Sequence, residues 1–342
     1  IYGSENFYLD APLSLLISLI LFFGVIFIGD FFQKTLINRI NSYSFIKYNI
    51  FFSPIIGTYL IVFPLYILLI FEIYPIFFIK FFSYSIFVFG IANIYLNKKI
   101  YLKLIQSFKF NQSIETQVII LLFILLFLIS ASPITHSDSL DYHLNGALSF
   151  LNYGHFQKEI LPMHSILASV GEIPLSIGLS LGGEQFGGII QYASLFSLIP
   201  IFFRKKNKLF LIAILACPIT LFLVSSPKPQ LLFCVTTLLI FIFLIENFSK
   251  LKSKDIIITY LIGLFLLSIT ILAKYSFILS SSLLIIYSYL ILLRKKIIFT
   301  PTILGLLIFV FTTLPYFYFK YKNFDTSLIH LFLSPLPLNI YG

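Results

Sequence analysis

The sequence predicts an all-α fold: a polytopic transmembrane helix bundle of about ten spans, with one large extracytoplasmic loop carrying an amphipathic interfacial helix. Three observations predict it. Hydrophobic residues make up 59% of the chain, charged residues only 11%, and the mean hydropathy is +1.01, a balance that excludes a soluble domain of 342 residues. Apolar runs recur at about the 20-residue length that crosses a bilayer as helix, and they lack the two-residue alternation of a membrane barrel. Of the 23 lysines and arginines, 17 fall in five short segments between those runs, the distribution expected of cytoplasmic loops. The net charge of +10 is therefore a topology signal and not a nucleic-acid groove.

The elements follow in order. A polar lead ends at Asp10-Ala11-Pro12, which suits a helix entry. Spans are expected near Leu13–Phe32, Asn49–Phe71, Ile76–Leu96 and Val118–Ile134. Beyond the loop they recur near Phe186–Phe203, Leu209–Val224, Leu231–Ile245, Ile256–Leu272, Ser276–Leu293 and Thr302–Phe319. Lys34, Arg39 and Lys47 put the far end of the first span in the cytoplasm, and a tight turn at Glu72 and Pro75 returns the chain. Lys98, Lys99, Lys103 and Lys109 form a second basic loop, and Lys80 lies near enough to a span end to snorkel. The basic groups around Arg204, Lys252 and Arg294 share a side when the chain crosses ten times. Lys320 to Gly342 should be an extracytoplasmic loop. The chain begins without methionine and ends in that loop, so it is read as one transmembrane domain over 1–342 and as a fragment. Cys217 and Cys234 sit in apolar runs, against a structural disulfide.

The loop over 135–185 concentrates the chemistry. It holds four of the five histidines, His136, His143, His155 and His164, together with Asp138, Asp141 and Glu159. Ionisable groups at the membrane edge are costly, and that cost points to function. Asp138 and Asp141 are three apart and share a face if a helix begins at Ser137 or Ser139; helix capping explains them as readily as catalysis does. Leu144, Ala147, Leu148 and Leu151 form an apolar stripe with Asn145, Ser149 and Asn152 facing away, the pattern of a helix lying in the interface, ended by Gly154. From Leu175 to Leu181 apolar and small residues alternate, which argues strand, whereas Pro174 and the membrane context favour a short helix or an irregular surface segment, so the stretch stays open. The histidine spacings match no compact zinc motif, so no metal ligands are assigned.

At this point the loop resembles a known family. Asp138-Ser139-Leu140-Asp141-Tyr142, a helix around Leu144 to Leu151, Gly154 and Pro162 follow in the order seen in the GT-C superfamily of integral membrane glycosyltransferases. Its protein O-mannosyltransferases and aminoarabinose transferases carry Asp-Glu-x-x-Tyr just past a transmembrane helix. Asp138, Tyr142 and His143 also resemble the Asp-x-x-x-Tyr-His of bacterial members of undefined substrate. Ser139 departs from the Glu of the pair, and more than one span precedes the loop, where better-known members have one. The resemblance implies a polyprenyl-phosphate sugar as donor substrate and an inverting displacement onto an extracytoplasmic lipid, glycan or protein. Asp138 would be the general base, with Asp141 orienting the acceptor, assisting a metal or capping. A divalent metal is possible, and no other cofactor is implied. Tyr142, His143 and His164 fall in the substrate region, and Lys158, Lys228 and Lys274 are the candidate cations for the donor phosphate. A transporter or flippase of a lipid-linked substrate is the rival reading, and a non-catalytic membrane subunit a second. Against the transporter stand acids gathered at the membrane edge and the lack of an evident internal repeat. An O-antigen ligase or polymerase would be expected to carry a later, arginine-bearing loop, whereas Arg39, Arg204 and Arg294 are all assigned to the cytoplasm.

Overall fold

A computed structural model describes residues 10–35, 50–107, 113–136, 139–156, 169–204, 207–246, 248, 251 and 253–324. Among these residues the fold is all helical, without a strand. Five helices are long and apolar enough to cross a membrane: Ala11–Thr35, Ile50–Ile70, Pro75–Leu102, Asp255–Ala273 and Phe299–Asn323. Their outer faces carry exposed Phe77, Phe81, Val88, Leu306, Phe311 and Leu314, a surface suited to lipid and not to water.

Helix α1 (Ala11–Thr35) packs along α2 (Ser53–Ile70, entered by a 3₁₀ turn) and α3 (Pro75–Ser107). These crossings are close because they run over glycines. A methyl group at Gly24 or Gly90 would strike the backbone oxygen of Ile86 or Ile20 on the facing helix. The turn joining α2 to α3 places Glu72 and Tyr74 at positive φ (55° and 42°). α3 runs on past the expected span end, so Lys98, Lys99 and Lys103 lie on helix and not in a basic loop. Nothing in that stretch breaks a helix.

The remaining expected spans correspond to shorter or broken segments. α4 covers Ile114–Ser130; α5 (Asn145–Asn152) and α6 (Ile173–Leu179) lie within the large loop. The next pass is α7 (Phe186–Ser194), a 3₁₀ turn and α8 (Ile199–Arg204). Another is split into α9 (Lys208–Leu215) and α10 (Pro218–Val224), because Pro218 has no N–H to continue α9. α11 (Gln230–Glu246), α12 (Ser253–Ala273), α13 (Ile278–Arg294) and α14 (Phe299–Phe324) complete the bundle. α14 continues through Lys320, which the sequence had placed at the start of a loop; residues 325–342 lie outside the described residues.

Buried hydrogen bonds tie the elements together. Tyr59 Oη and Thr270 Oγ1 bond at 2.7 Å, and Tyr66 Oη donates to the Thr312 carbonyl at 2.8 Å, fixing α2 to α12 and α14. Where α1 begins, Ser14 Oγ donates to Gln185 Oε1 (2.6 Å) and accepts from the Glu184 N–H (3.0 Å). Glu184 Oε1 in turn accepts from the Ile134 N–H at 2.9 Å. The start of α1, the exit of α4 and the start of α7 therefore meet at the end of the bundle that carries the large loop.

Within that loop α5 forms where the apolar stripe was expected, with Leu144, Ala147 and Leu151 buried and Asn152 exposed. Ser149 departs from the expected pattern: it is buried and donates to the Gly146 carbonyl at 2.7 Å. Gly154 does end the helix, at φ 71°. The alternating run near Leu175 is helix α6, and all seven of its residues are buried. Period two carried no information there, because no face is solvated.

Candidate functional site

The chain leaves α4 and passes His136 into a π-helical turn over Ser139–Leu144. Such turns are rare and concentrate at functional sites. Asp138 lies outside the described residues, as do Lys158 and His164, and Asp141 is placed by its backbone alone. Tyr142 and His143 are both buried, with ring centroids 4.2 Å apart.

His143 is the best-anchored of the expected site residues. Its Nδ1 lies 2.8 Å from Glu172 Oε1, and the two side chains are 2% and 0% exposed. Glu172 reaches this position through a capping box opening the 3₁₀ turn Val170–Glu172. Its Oε2 accepts from the Ser169 backbone N–H and from Ser169 Oγ, both at 2.9 Å. The single Ser169 hydroxyl hydrogen is shared between Glu172 Oε2 and the Ala273 carbonyl, which ties this turn to the last residue of α12. The Glu172 charge bears on Lys320, a wholly buried lysine of α14 whose Nζ lies 5.4 Å from the Tyr316 ring centroid. A buried carboxylate needs such compensation, since an uncompensated charge away from water is strongly destabilising.

Beside this cluster the structure gathers the other expected residues. His136 Nε2 lies 3.2 Å from Ser225 Oγ, and its ring meets Phe222 edge-on at 5.1 Å. The other neighbour of Phe222 is Lys228, largely buried, with its Nζ 4.7 Å from the ring centroid. Gly171 sits between Pro229 and the Ala273 carbonyl: a Cβ there would lie 2.5 Å from the proline ring and 3.3 Å from that oxygen. Lys228 and Lys274 are the chain neighbours of these two residues, which reach the Ser169–Glu172 turn from the α10–α11 connection and from the end of α12. His155 is occupied locally, its Nδ1 2.8 Å from the Phe156 carbonyl.

The site therefore brings together His136, Tyr142, His143, Lys228 and the backbone of Lys274. It adds Ser169, Glu172 and Lys320, which the sequence reading did not single out. Ser169-Val170-Gly171-Glu172 is a legible capping-box pattern. Lys320 was hidden by its position at the edge of an apolar run. The described residues bring no three His, Cys, Asp or Glu side chains within reach of one metal ion. An apolar cavity of ≈ 340 Å³ lies among Phe52, Tyr59, Leu239, Phe243, Phe248 and Leu264, and none of the residues of this polar cluster lines it.

Residues 94–342 match the DUF1420 N-terminal domain. The chain belongs to that family. The DUF1420 N-terminal domain begins here within α3 and includes every site residue named above, leaving α1 and α2 ahead of it. No curated protein and no solved structure matches the chain. Family membership assigns no chemistry, which leaves the site to argue for it.

Proposed function

We propose that the protein is a membrane glycosyltransferase that moves a sugar from a polyprenyl-phosphate donor to an extracytoplasmic acceptor. The observation that carries this reading is the buried His143–Glu172 pair with Lys320, built around the π-helical turn that bears Asp141, Tyr142 and His143. A helix bundle spends stability to bury three ionisable groups at one end, and that end receives the segment whose Asp138 and Tyr142 resemble the GT-C motif. Charge placement along the chain puts this end outside the cytoplasm, on the path of about ten crossings.

The reaction is an inverting displacement. The acceptor hydroxyl oxygen attacks the anomeric carbon, the bond from that carbon to the phosphate oxygen breaks, and the polyprenyl phosphate leaves with the electron pair. Asp138 is the general base and sets negative charge against the oxocarbenium-like centre. Lys228 and Lys274, next in sequence to the two residues that pack on Gly171, offset the charge of the leaving phosphate. Lys228 suits this role because Phe222 holds its ammonium in place from one side.

The test uses membranes containing the full-length protein, wild type beside Asp138→Asn, with labelled polyprenyl-phosphate hexoses and pentoses. Release of free lipid phosphate is followed together with label in any acceptor. Turnover with one donor that falls at least about a hundredfold in Asp138→Asn, at equal expression, is the expected result. Donor movement between leaflets without bond cleavage, unchanged by the substitution, would replace this reading with the flippase.

A further inference from the structure

Three wall residues of the apolar cavity mark helix ends: Phe32 in the last turn of α1, Phe52 in the turn entering α2, and Phe248 just past α11. From that end the cavity reaches Tyr59 on α2, Thr236 on α11 and Leu267 on α12, about 10–18 Å along the helices at ~1.5 Å per residue. Ala273, which receives the Ser169–Glu172 turn, lies beyond Leu267 on the same helix. We propose that this cavity is a lipid site, and that its occupant is one acyl chain of a phospholipid from the adjoining leaflet. The inference stands apart from the transferase reading.

The chemistry of the wall selects hydrocarbon. Five of its side chains carry hydroxyls, and three of these are spent within the protein. Thr236 Oγ1 donates to the Leu232 carbonyl and Ser288 Oγ to the Ile285 carbonyl, both at 2.8 Å, while Tyr59 Oη pairs with Thr270. A wall otherwise built mainly of Ile, Leu and Phe gives water too few of the roughly two to four polar partners that hold it in a buried site. An empty cavity forfeits the dispersion contacts of its wall, and in a bilayer hydrocarbon is at hand to restore them.

Size and shape select a single chain. An apolar cavity of ~150 Å³ admits benzene, so ≈ 340 Å³ has room for roughly a dozen carbons. Its length matches one leaflet, which contributes about half of the ~30 Å hydrocarbon core. Ile258, Leu261, Ile262 and Phe265 give α12 a half-buried stripe along the cavity, which a chain lying parallel to the helix covers. Gly263 also lines the cavity, with nothing within 4 Å of an added Cβ, so the space continues up to the backbone. Lys34, exposed in the last turn of α1, sets a positive charge at the helix end where the phosphate of such a lipid lies. Residues 36–49, which join α1 to the turn entering α2, carry Arg39, Lys47 and three asparagines, a poor match for this wall.

The experiment places the full-length protein in nanodiscs containing phosphatidylglycerol with a diazirine on one acyl chain, irradiates them, and maps the insertions by mass spectrometry. Insertion is expected at buried wall positions such as Leu239 and Leu264. It should fall at least about fivefold in Gly263→Leu, which grows into the space, and stay within about twofold in Gly263→Ala. Insertion confined to outward residues such as Phe311 and Leu314, unchanged by Gly263→Leu, would overturn the proposal and leave ordinary lipid contact. Insertion at the wall from a diazirine-bearing polyprenyl phosphate, and none from phosphatidylglycerol, would overturn the choice of occupant. No insertion at the wall from either lipid would overturn the site itself and assign the space to the chain's own residues, 36–49 first. If Gly263→Leu does not fold, the wild-type insertion map separates wall from outer face without it.

Discussion

Lys320 is the residue that most rewards a stability measurement. It is wholly buried in α14, and its charge faces that of Glu172, which is also held by Ser169 and His143. Removing the positive charge raises the cost of keeping the Glu172 carboxylate away from water, and removing both charges relieves it. Lys320→Met should therefore lower the unfolding temperature in detergent sharply, and adding Glu172→Gln should recover most of the loss. An additive double variant would show that the two charges do not depend on each other. At this scale the sequence was half legible. His143 and Tyr142 stood out because polar groups are conspicuous beside lipid, and Ser169 and Glu172 carried a capping box. Lys320 read as the first residue of a loop, since composition alone cannot show that a helix continues past its apolar run. Whether an ammonium at such an edge turns outward or inward depends on a partner about 150 residues away in the chain, the Glu172 carboxylate.

Elements were legible wherever apolar length decided the outcome. The spans expected at Asn49–Phe71 and Ile256–Leu272 differ by a few residues from helices Ile50–Ile70 and Ser253–Ala273. The sequence was less legible where periodicity could not decide. α6 alternates like a strand, which left its state open, and is helix; Ser149 on α5 faces protein; the π-helical turn has no signature in hydrophobic period. Close helix crossings leave a clearer mark, since only glycine lets two backbones touch. Gly24→Ala or Gly90→Ala should each push α1 off α3 and cost about 1–3 kcal/mol through overpacking against a carbonyl that cannot move alone. Gly263→Ala is the internal control. It lies in α12 with nothing within 4 Å of its added methyl, so helix propensity should leave it neutral or stabilised by up to about 1 kcal/mol. Thermal unfolding of the three variants in one detergent checks the contrast. Equal losses at all three positions would mean that the crossings are looser than the glycines imply.

For the whole molecule, the proposed reaction requires that the polar cluster face away from the cytoplasm, because that side follows from charge placement and from nothing in the site itself. Tyr153, exposed just beyond α5, and Lys98 and Lys296, exposed on α3 and after α13, are the positions that test the two sides. In a background with Cys217 and Cys234 replaced by serine, Tyr153→Cys should react with a membrane-impermeant maleimide in intact cells. Lys98→Cys and Lys296→Cys should react only after permeabilisation. Labelling of Lys296→Cys from outside, with Tyr153→Cys also labelled, would remove a crossing between the loop and α13, most plainly at the split pass α9–α10, whose halves are each too short to span alone. Reversal at all three positions would put His143, Glu172 and Lys320 on the cytoplasmic side. An extracytoplasmic acceptor would then be out of reach, while the stability argument for the buried charges would stand unchanged, since it depends on their separation from water and not on which compartment supplies it.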